Sequence, residues 1–461
     1  MGLRGAIVLA LGAALAWPAG AAADAPWSEP VALSADRRSV FDVGLAFTAG
    51  GRAVASWTFR DGVGLGRNSG AVALRKFGAT SFGAERVIAR LGVRESARAL
   101  SPPVLYGRHR AAWLEIGPAT SGGPFGQVRM SAHVESVGRE LGPPQLISTH
   151  RPSTGNRPVL AGNARGELAL AWAARPPRGP GQVLVARRPA GARRFSVPRV
   201  LARPPPTGPE RTRATTVAVG PQGDVLVAWE QGGEIHQRFA VRGRGFAPEQ
   251  RIIAQESFNA TPRIVLDRNG RAVMAWHSRV ISEGGDARPT RIQVAAKPGR
   301  AARFTPAVLL LRGVTYGDLG TDVVLDSAGE ALVLYTPALS NATRLEVAFS
   351  GQDDAFTRHE TIAGSSGSAP LLVAGPRGET LALWQVGQDN SSLLTTLFAA
   401  VRQPGGRFGP AETISDDASG PFAAAFDPVS GVPTVVFAEY EGSRRPVRAA
   451  ASTRTLLQVR P

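Results

Sequence analysis

Short apolar runs separated by turn residues fill this chain from end to end. The stretch Thr215 to Ala254 is representative. Thr215–Val219 is β-rich, Pro221-Gln222-Gly223-Asp224 is turn chemistry, and Val225–Trp229 is a second apolar run. After Gln231-Gly232-Gly233 come a third run around Ile235–Ala240, another turn, and a fourth run at Arg251–Ala254. Runs of this length bounded by turn residues predict strands, and nothing in the unit has the length or 3.6-residue period of an amphipathic helix.

The unit repeats. A glycine is followed six residues later by a large aromatic at Gly51/Trp57, Gly107/Trp113, Gly166/Trp172, Gly223/Trp229, Gly270/Trp276, Gly329/Tyr335, Gly378/Trp384 and Gly431/Phe437. Successive aromatics lie 47 to 59 residues apart. A second marker, an aromatic opening the fourth run, recurs in the same phase at Phe82, Phe195, Phe246, Phe304, Phe356 and Phe408, with Leu141 in the second copy. Four antiparallel strands at this period predict an all-β fold, a single β-propeller of eight four-stranded blades, with seven as the alternative. The second run of each copy is apolar at nearly every position, as a strand buried on both faces requires. The eight aromatics are therefore expected to fill the wedges between blades as core, not as ligand platforms.

The eighth copy lacks its fourth run. The matching signature stands at the other end of the chain, as Trp27-Ser28-Glu29-Pro30-Val31-Ala32-Leu33-Ser34. The N-terminal strand is thus expected to complete the last blade and remove exposed edges, so deleting residues 24–34 is expected to damage folding more than deleting 455–461.

The pattern resembles the broad class of secreted bacterial β-propeller repeat proteins, over residues 27–452. Asp267-Arg268-Asn269-Gly270 before Trp276 and Asp326-Ser327-Ala328-Gly329 before Tyr335 are loosely similar to the Asp box of sialidase-like repeats. Here Asp precedes Gly by three residues rather than two, and the aromatic follows by six rather than three. The resemblance implies a fold and carries over no catalytic residue. The signatures of WD40 and kelch repeats and the Asp/Asn-dense loops of calcium-binding propeller repeats are absent.

Residues 1–23 read as a secretion signal: Arg4, an apolar stretch Ala6–Trp17 too short to span a bilayer, and Ala21-Ala22-Ala23 as cleavage site. Residues 24–461 form the propeller domain, expected outside the cell with no membrane span. The chain has no cysteine, which excludes disulfides, thiolate chemistry, Cys-ligated metals and a lipoprotein anchor. The six histidines have no ligand spacing, and no cofactor or metal is expected.

The formal charge is +17, with only Lys76 and Lys297 among the 53 basic residues being lysine. Such a field attracts anionic polymers, although GC-rich coding also selects Arg over Lys. Nucleic acid is not expected as a partner, since there is no long basic run or stacking motif.

The first-to-second turns are short and alike, whereas the opposite loops vary in length. Binding is expected at the variable loops, near the mouth of a central channel. Glu230 and His277 follow the aromatic in adjacent copies and are candidates for a polar pair there. The alternative is that both are strand-end residues facing water. Arg94, Arg151, Arg211 and Arg213 lie in blade-to-blade segments and form a candidate basic rim, or a set of solvated loop charges. Tyr440 and Arg444, with Glu439 and Glu441, are similar to the Tyr, Glu and Arg set of sialidases. The first expectation is a binding or scaffold protein for an extracellular protein or an anionic polysaccharide. The second is a glycoside hydrolase or lyase of sialidase-like type.

Overall fold

The computed structural model describes residues 27–34, 39–61, 67–90, 99–100, 104–106, 110–118, 128–136, 145–148, 158–174, 176, 180–204, 212–252, 258–259, 262–279, 288–300, 303–315, 320–336, 338–339, 342–351, 354–364, 368–387, 395–440 and 446–452. The proposed signal segment lies outside them. Among the described residues there is no helix. The architecture is all-β, built of successive four-stranded antiparallel sheets, as in a propeller.

In chain order we letter the sheets A to H. Sheet A holds Ser39–Phe47, Ala53–Asp61, Arg67–Arg75 and Arg86–Arg90, and sheet B holds Val104–Tyr106, Arg110–Pro118, Val128–Ser136 and Gln145–Ser148. Sheet C holds Val159–Gly162, Leu168–Ala174, Gln182–Arg188 and Arg199–Ala202. Sheet D holds Thr212–Val219, Val225–Gln231, Glu234–Ala240 and Gln250–Ile252. Sheet E holds Arg263–Leu266, Arg271–Arg279, Arg288–Pro298 and Val308–Thr315, and sheet F holds Thr321–Leu325, Ala331–Tyr335, Leu345–Phe349 and Arg358–Ala363. Short strands Ala99–Leu100 and Phe258–Asn259 extend B and E along their second strands.

Sheets G and H share one long strand. Glu412–Phe426 pairs with Thr395–Arg402 through Glu412–Ala418, and with Pro433–Glu439 through Ala418–Phe426. Ser368–Ala374 and Thr380–Gly387 complete G, and Val447–Ala451 and Val31–Ala32 complete H. Val31 and Ala32 pair with Ala449 and Arg448, and Trp27 bridges to Ser452.

The repeated glycine has a local cause. Gly51, Gly166, Gly223, Gly270, Gly329, Gly378 and Gly431 all have φ between 71° and 98°, a region that L side chains occupy only at a cost. The residue opening the turn often caps it. Asp267 Oδ1 accepts from the N–H groups of Asn269 and Arg271, and Asp326 Oδ1 from those of Ala328 and Glu330.

Each aromatic of the repeat is buried in the second strand of its sheet and packs toward the preceding sheet. Trp172 lies with Leu114 and Met130 of B, Trp229 with Val183 and Val185 of C, and Trp276 with Leu226 and Ile235 of D. Tyr335 packs with Ile292 of E, Trp384 with Val347 of F, and Phe437 with Leu383 of G. Trp113 joins Val54 and Val72 of A. Trp57 shares a cluster with Val436 and Val447 of H, so sheets A and H meet as well.

Candidate functional site

Antiparallel pairing places the start of each first strand beside the end of the second, as Thr212 opposite Gln231 shows. The variable loops therefore leave one end of the sheets and the short glycine turns the other. First strands of successive sheets face a common space. A cavity of about 620 Å³ near the turn end is lined by Ala161 of C, Val217 of D, Leu266 of E, Leu325 of F and Ala374 of G.

The turn end is tied by ion pairs between sheets. Arg242 Nε of D meets Glu167 Oε1 of C at 2.7 Å, and Arg300 Nε of E meets Asp224 Oδ2 of D at 2.9 Å. Arg402 of G, fully buried, reaches Asp326 Oδ2 and Glu330 Oε2 of F at 3.3 and 2.6 Å. Arg75 of A meets Asp427 of H at 2.6 Å. These cations neutralise acids already engaged in turns, so part of the arginine excess is structural.

At the other end the first strands carry charge. Asp322 is the second residue of the first strand of F, and its Oδ2 accepts the Leu372 N–H of G at 2.8 Å. Burial raises the Asp322 carboxyl above its ordinary range, against the opposing pull of Arg263 and of the N–H groups of Leu372 and Val323. Arg263 begins the first strand of E and is exposed. Three adjoining inner strands thus bring together a guanidinium and a carboxyl held toward its protonated form. Sequence reading missed both residues, because a single charge opening an apolar run is indistinguishable from a strand-end charge.

Glu230 ends the buried part of its strand and is fully buried. Its Oε1 accepts the Gly233 N–H at 3.0 Å and closes the turn into the third strand. His277 occupies the matching place in sheet E, half-buried, opposite Ile292. Arg213 lies in the first strand of D, between Thr212 and Ala214; its side chain is outside the described residues. Arg94, Arg151, Arg211 and Arg444 lie outside them altogether. Tyr440 is half-buried and its N–H donates to the Asp417 carbonyl at 2.7 Å. Beside it Glu439 accepts from Ser415 Oγ at 3.0 Å and pairs with Arg448, so this carboxylate is already committed within sheet H.

One further cluster comes from the copy with tyrosine in place of tryptophan. Tyr335 Oη donates to Glu346 Oε2 at 2.9 Å and lies 2.8 Å from His359 Nδ1, while Arg344 pairs with Glu346. Desolvation, with Glu346 alongside, pushes the phenol far above its usual range. A phenol held protonated in this way is a hydrogen-bonding strut, not a nucleophile. Among the described residues no group of three His, Asp or Glu gathers into a metal-binding set.

No family model matches the chain, and no curated protein matches it. Among solved structures it is similar to a protein of unknown function from Dyadobacter fermentans, at 13% identity and a TM-score of 0.44, over 78% of this chain and 95% of that one. It is also similar to an ulvan lyase of a new polysaccharide lyase family, bound to -[GlcA(1-4)Rha3S]-, at 10% identity and TM-score 0.48, over 91% of this chain and 95% of that one. A third is the α-L-arabinofuranosidase Arb93A from Fusarium graminearum, at 9% identity and TM-score 0.40, over 92% and 98% of the two chains.

Proposed function

We propose that this chain is an exported, closed propeller of eight blades that binds an acidic polysaccharide at the loop-rich mouth of its channel. Supporting the ring, an apolar cluster joins each sheet to the next and A to H, and the strand Val31–Ala32 pairs with the last strand of H. Supporting export are the signal-like residues 1–23.

The observation that carries the binding reading is Arg263 beside Asp322 on adjoining inner strands at that end. A guanidinium fork holds a sugar carboxylate in bidentate fashion, and burial shifts Asp322 toward its neutral form, which weakens its repulsion of an anion. His277 and Tyr440, both half-buried, belong to the same end of their sheets and flank the mouth. The basic rim of Arg94, Arg151, Arg211 and Arg444 rests on the sequence alone, since all four lie outside the described residues.

The test is calorimetric titration of residues 24–461 with pectate fragments and with neutral xylan fragments. Binding of pectate alone, weakened by salt and by Arg263→Gln, is expected; equal binding of both polymers refutes it. A second reading, glycosidic cleavage, is favoured by the raised Asp322 carboxyl, since a general acid needs its proton near neutral pH. Release of new reducing ends, abolished by Asp322→Asn, would replace the binding reading with the catalytic one.

A further inference from the structure

A cleft of about 560 Å³ opens on the flank between sheets D and E, within the size range of small-molecule sites. We propose that it is a second site, separate from the channel mouth, for a sugar-sized ligand bearing a carboxylate or sulfate. Gln250 and Arg251 line it from the outer strand of D, and Arg291, Gln293, Phe304 and Leu309 from E.

The cleft differs in charge from three other cavities. Among the described residues no carboxylate lines it. The cavity at the turn ends of C and D carries Glu167, one beside the outer strand of C carries Glu249, and the central one carries Asp267 and Asp326. Arg251 is 56% exposed along its side chain and is steadied by Glu234 at 3.2 Å.

The repeat supplies its own control. Gln250 Nε2 donates to the Phe304 carbonyl and its Oε1 accepts the Phe304 N–H, at 3.0 and 2.8 Å. The joint between B and C has the same latch, Gln145 on Phe195, at 3.1 and 2.7 Å. Between F and G, Glu360 Oε1 accepts the Phe408 N–H at 2.8 Å. The residue after the latch is Arg251 between D and E, but Leu146 and Thr361 in the sister joints.

Gln293 lies opposite Trp276, with Arg291 two residues earlier. Counting back likewise from the partners of Trp172 and Trp384 gives Gln182 and Thr396. The joint is therefore built equally well without either arginine. Of the three latched joints, the one between D and E brings two guanidinium groups together, beside the exposed Leu309. An oxyanion on the guanidinium forks and a sugar face against the apolar wall match that composition.

The test titrates residues 24–461 with digalacturonate, with sodium sulfate and with cellobiose by calorimetry. Saturable binding of digalacturonate and no binding of cellobiose are expected. The double variant Arg251→Leu, Arg291→Gln installs the residues of the joint between B and C. It should melt like the parent and bind digalacturonate at least tenfold more weakly. In an Arg263→Gln background, which weakens the channel mouth, the double variant should still lose this binding, so the two sites succeed or fail separately. Sulfate that competes with the sugar acid places the anion on the same arginines; sulfate that binds when digalacturonate does not refutes a sugar-sized ligand. No saturable binding of either anion, or unchanged affinity in the double variant, overturns the proposal.

Discussion

Removing the Arg75 guanidinium should weaken the contact between the two ends of the chain. Arg75 of sheet A and Asp427 of sheet H meet at 2.6 Å with side chains only 9% and 12% exposed. An exposed pair is worth about 0–1 kcal/mol, whereas taking one partner from a buried pair costs about 3–5 kcal/mol because the other charge stays behind. Asp427 also accepts from the Val429 N–H at 2.9 Å, which softens that cost. Arg75 further lies 4.7 Å above the Phe47 ring, a contact of roughly 0.5–2 kcal/mol. Arg75→Met keeps the packed stem and should cost about 3 kcal/mol. Asp427→Asn retains the turn-capping oxygen, so Arg75→Met with Asp427→Asn should recover most of the loss, since replacing both partners is near neutral. The assay is urea unfolding of residues 24–461 followed by tryptophan fluorescence and circular dichroism, whose transitions must coincide at unchanged slope for the free energies to be compared. A loss below about 1 kcal/mol for Arg75→Met, as at a surface pair, or a double variant no more stable than the single one, refutes the reasoning.

Lys297 is fully buried, with its ammonium on the Gly270 carbonyl at 2.8 Å and over the Phe239 ring; burial lowers its pKa to about 8. Its ordinary value is 10.5, so between pH 8 and 10.5 the unfolded chain binds the extra proton and Lys297 adds stability as pH rises. That gain is lost as pH falls through 8, and subtracting the urea midpoints of Lys297→Met from those of the parent should isolate the slope; a flat difference refutes it. At Gly320 an added Cβ would lie 1.9 Å from Pro370 Cδ, and a rigid ring cannot withdraw. Gly320→Ala should therefore cost about 3 kcal/mol, the upper end for overpacking, while Gly329→Ala, with open space but φ of 87°, should lose only about 1–2 kcal/mol of backbone strain; equal losses in urea would count against the close approach. Tyr335→Phe takes the hydroxyl away from Glu346 Oε2 and His359 Nδ1, while Arg344 stays on Glu346, and should cost about 1–3 kcal/mol with little loss of packing, read in the same titration.

What could be foreseen from the sequence was local in origin. A glycine at positive φ and an indole six residues later are demands of one turn and one strand, and each leaves its mark in a single copy. Partners across a joint leave no such mark. Gln250 reads as a solvated strand residue until the Phe304 backbone of the next sheet is beside it, and Arg402 reads as surface charge until Asp326 and Glu330 enclose it. The shared strand of G and H escaped notice for a different reason. Ser415 to Pro421 has turn composition, yet Gly420 takes φ of 97° and the pairing passes through a register shift between Ala418 and Phe422. Glu230 reads in sequence as a strand-end residue, but its burial follows from the tight turn at Gly232 and Gly233, whose consequence for a neighbouring carboxylate is not written in spacing.

The repeat has a longer period than the glycine and the aromatic reveal. Opposite the residue that follows each turn glycine by two stand Arg75, Arg188, Lys297 and Arg402 in sheets A, C, E and G. In D, F and H the same place holds Ala240, Ser350 and Ser452. The latches keep this phase, joining B to C, D to E and F to G. Buried cations face acids of the sheet before them, as Arg402 does with F and Arg75 with H. By this position the sheets group in pairs, with H and A forming the fourth, although Arg271 of E also pairs with Asp354 of F across the other phase. That pair contains both chain ends: the first described strand sits in H, and the strand bearing Arg75 in A. In the proposed ring, the seam falls inside a pair, where a buried ion pair reinforces apolar packing.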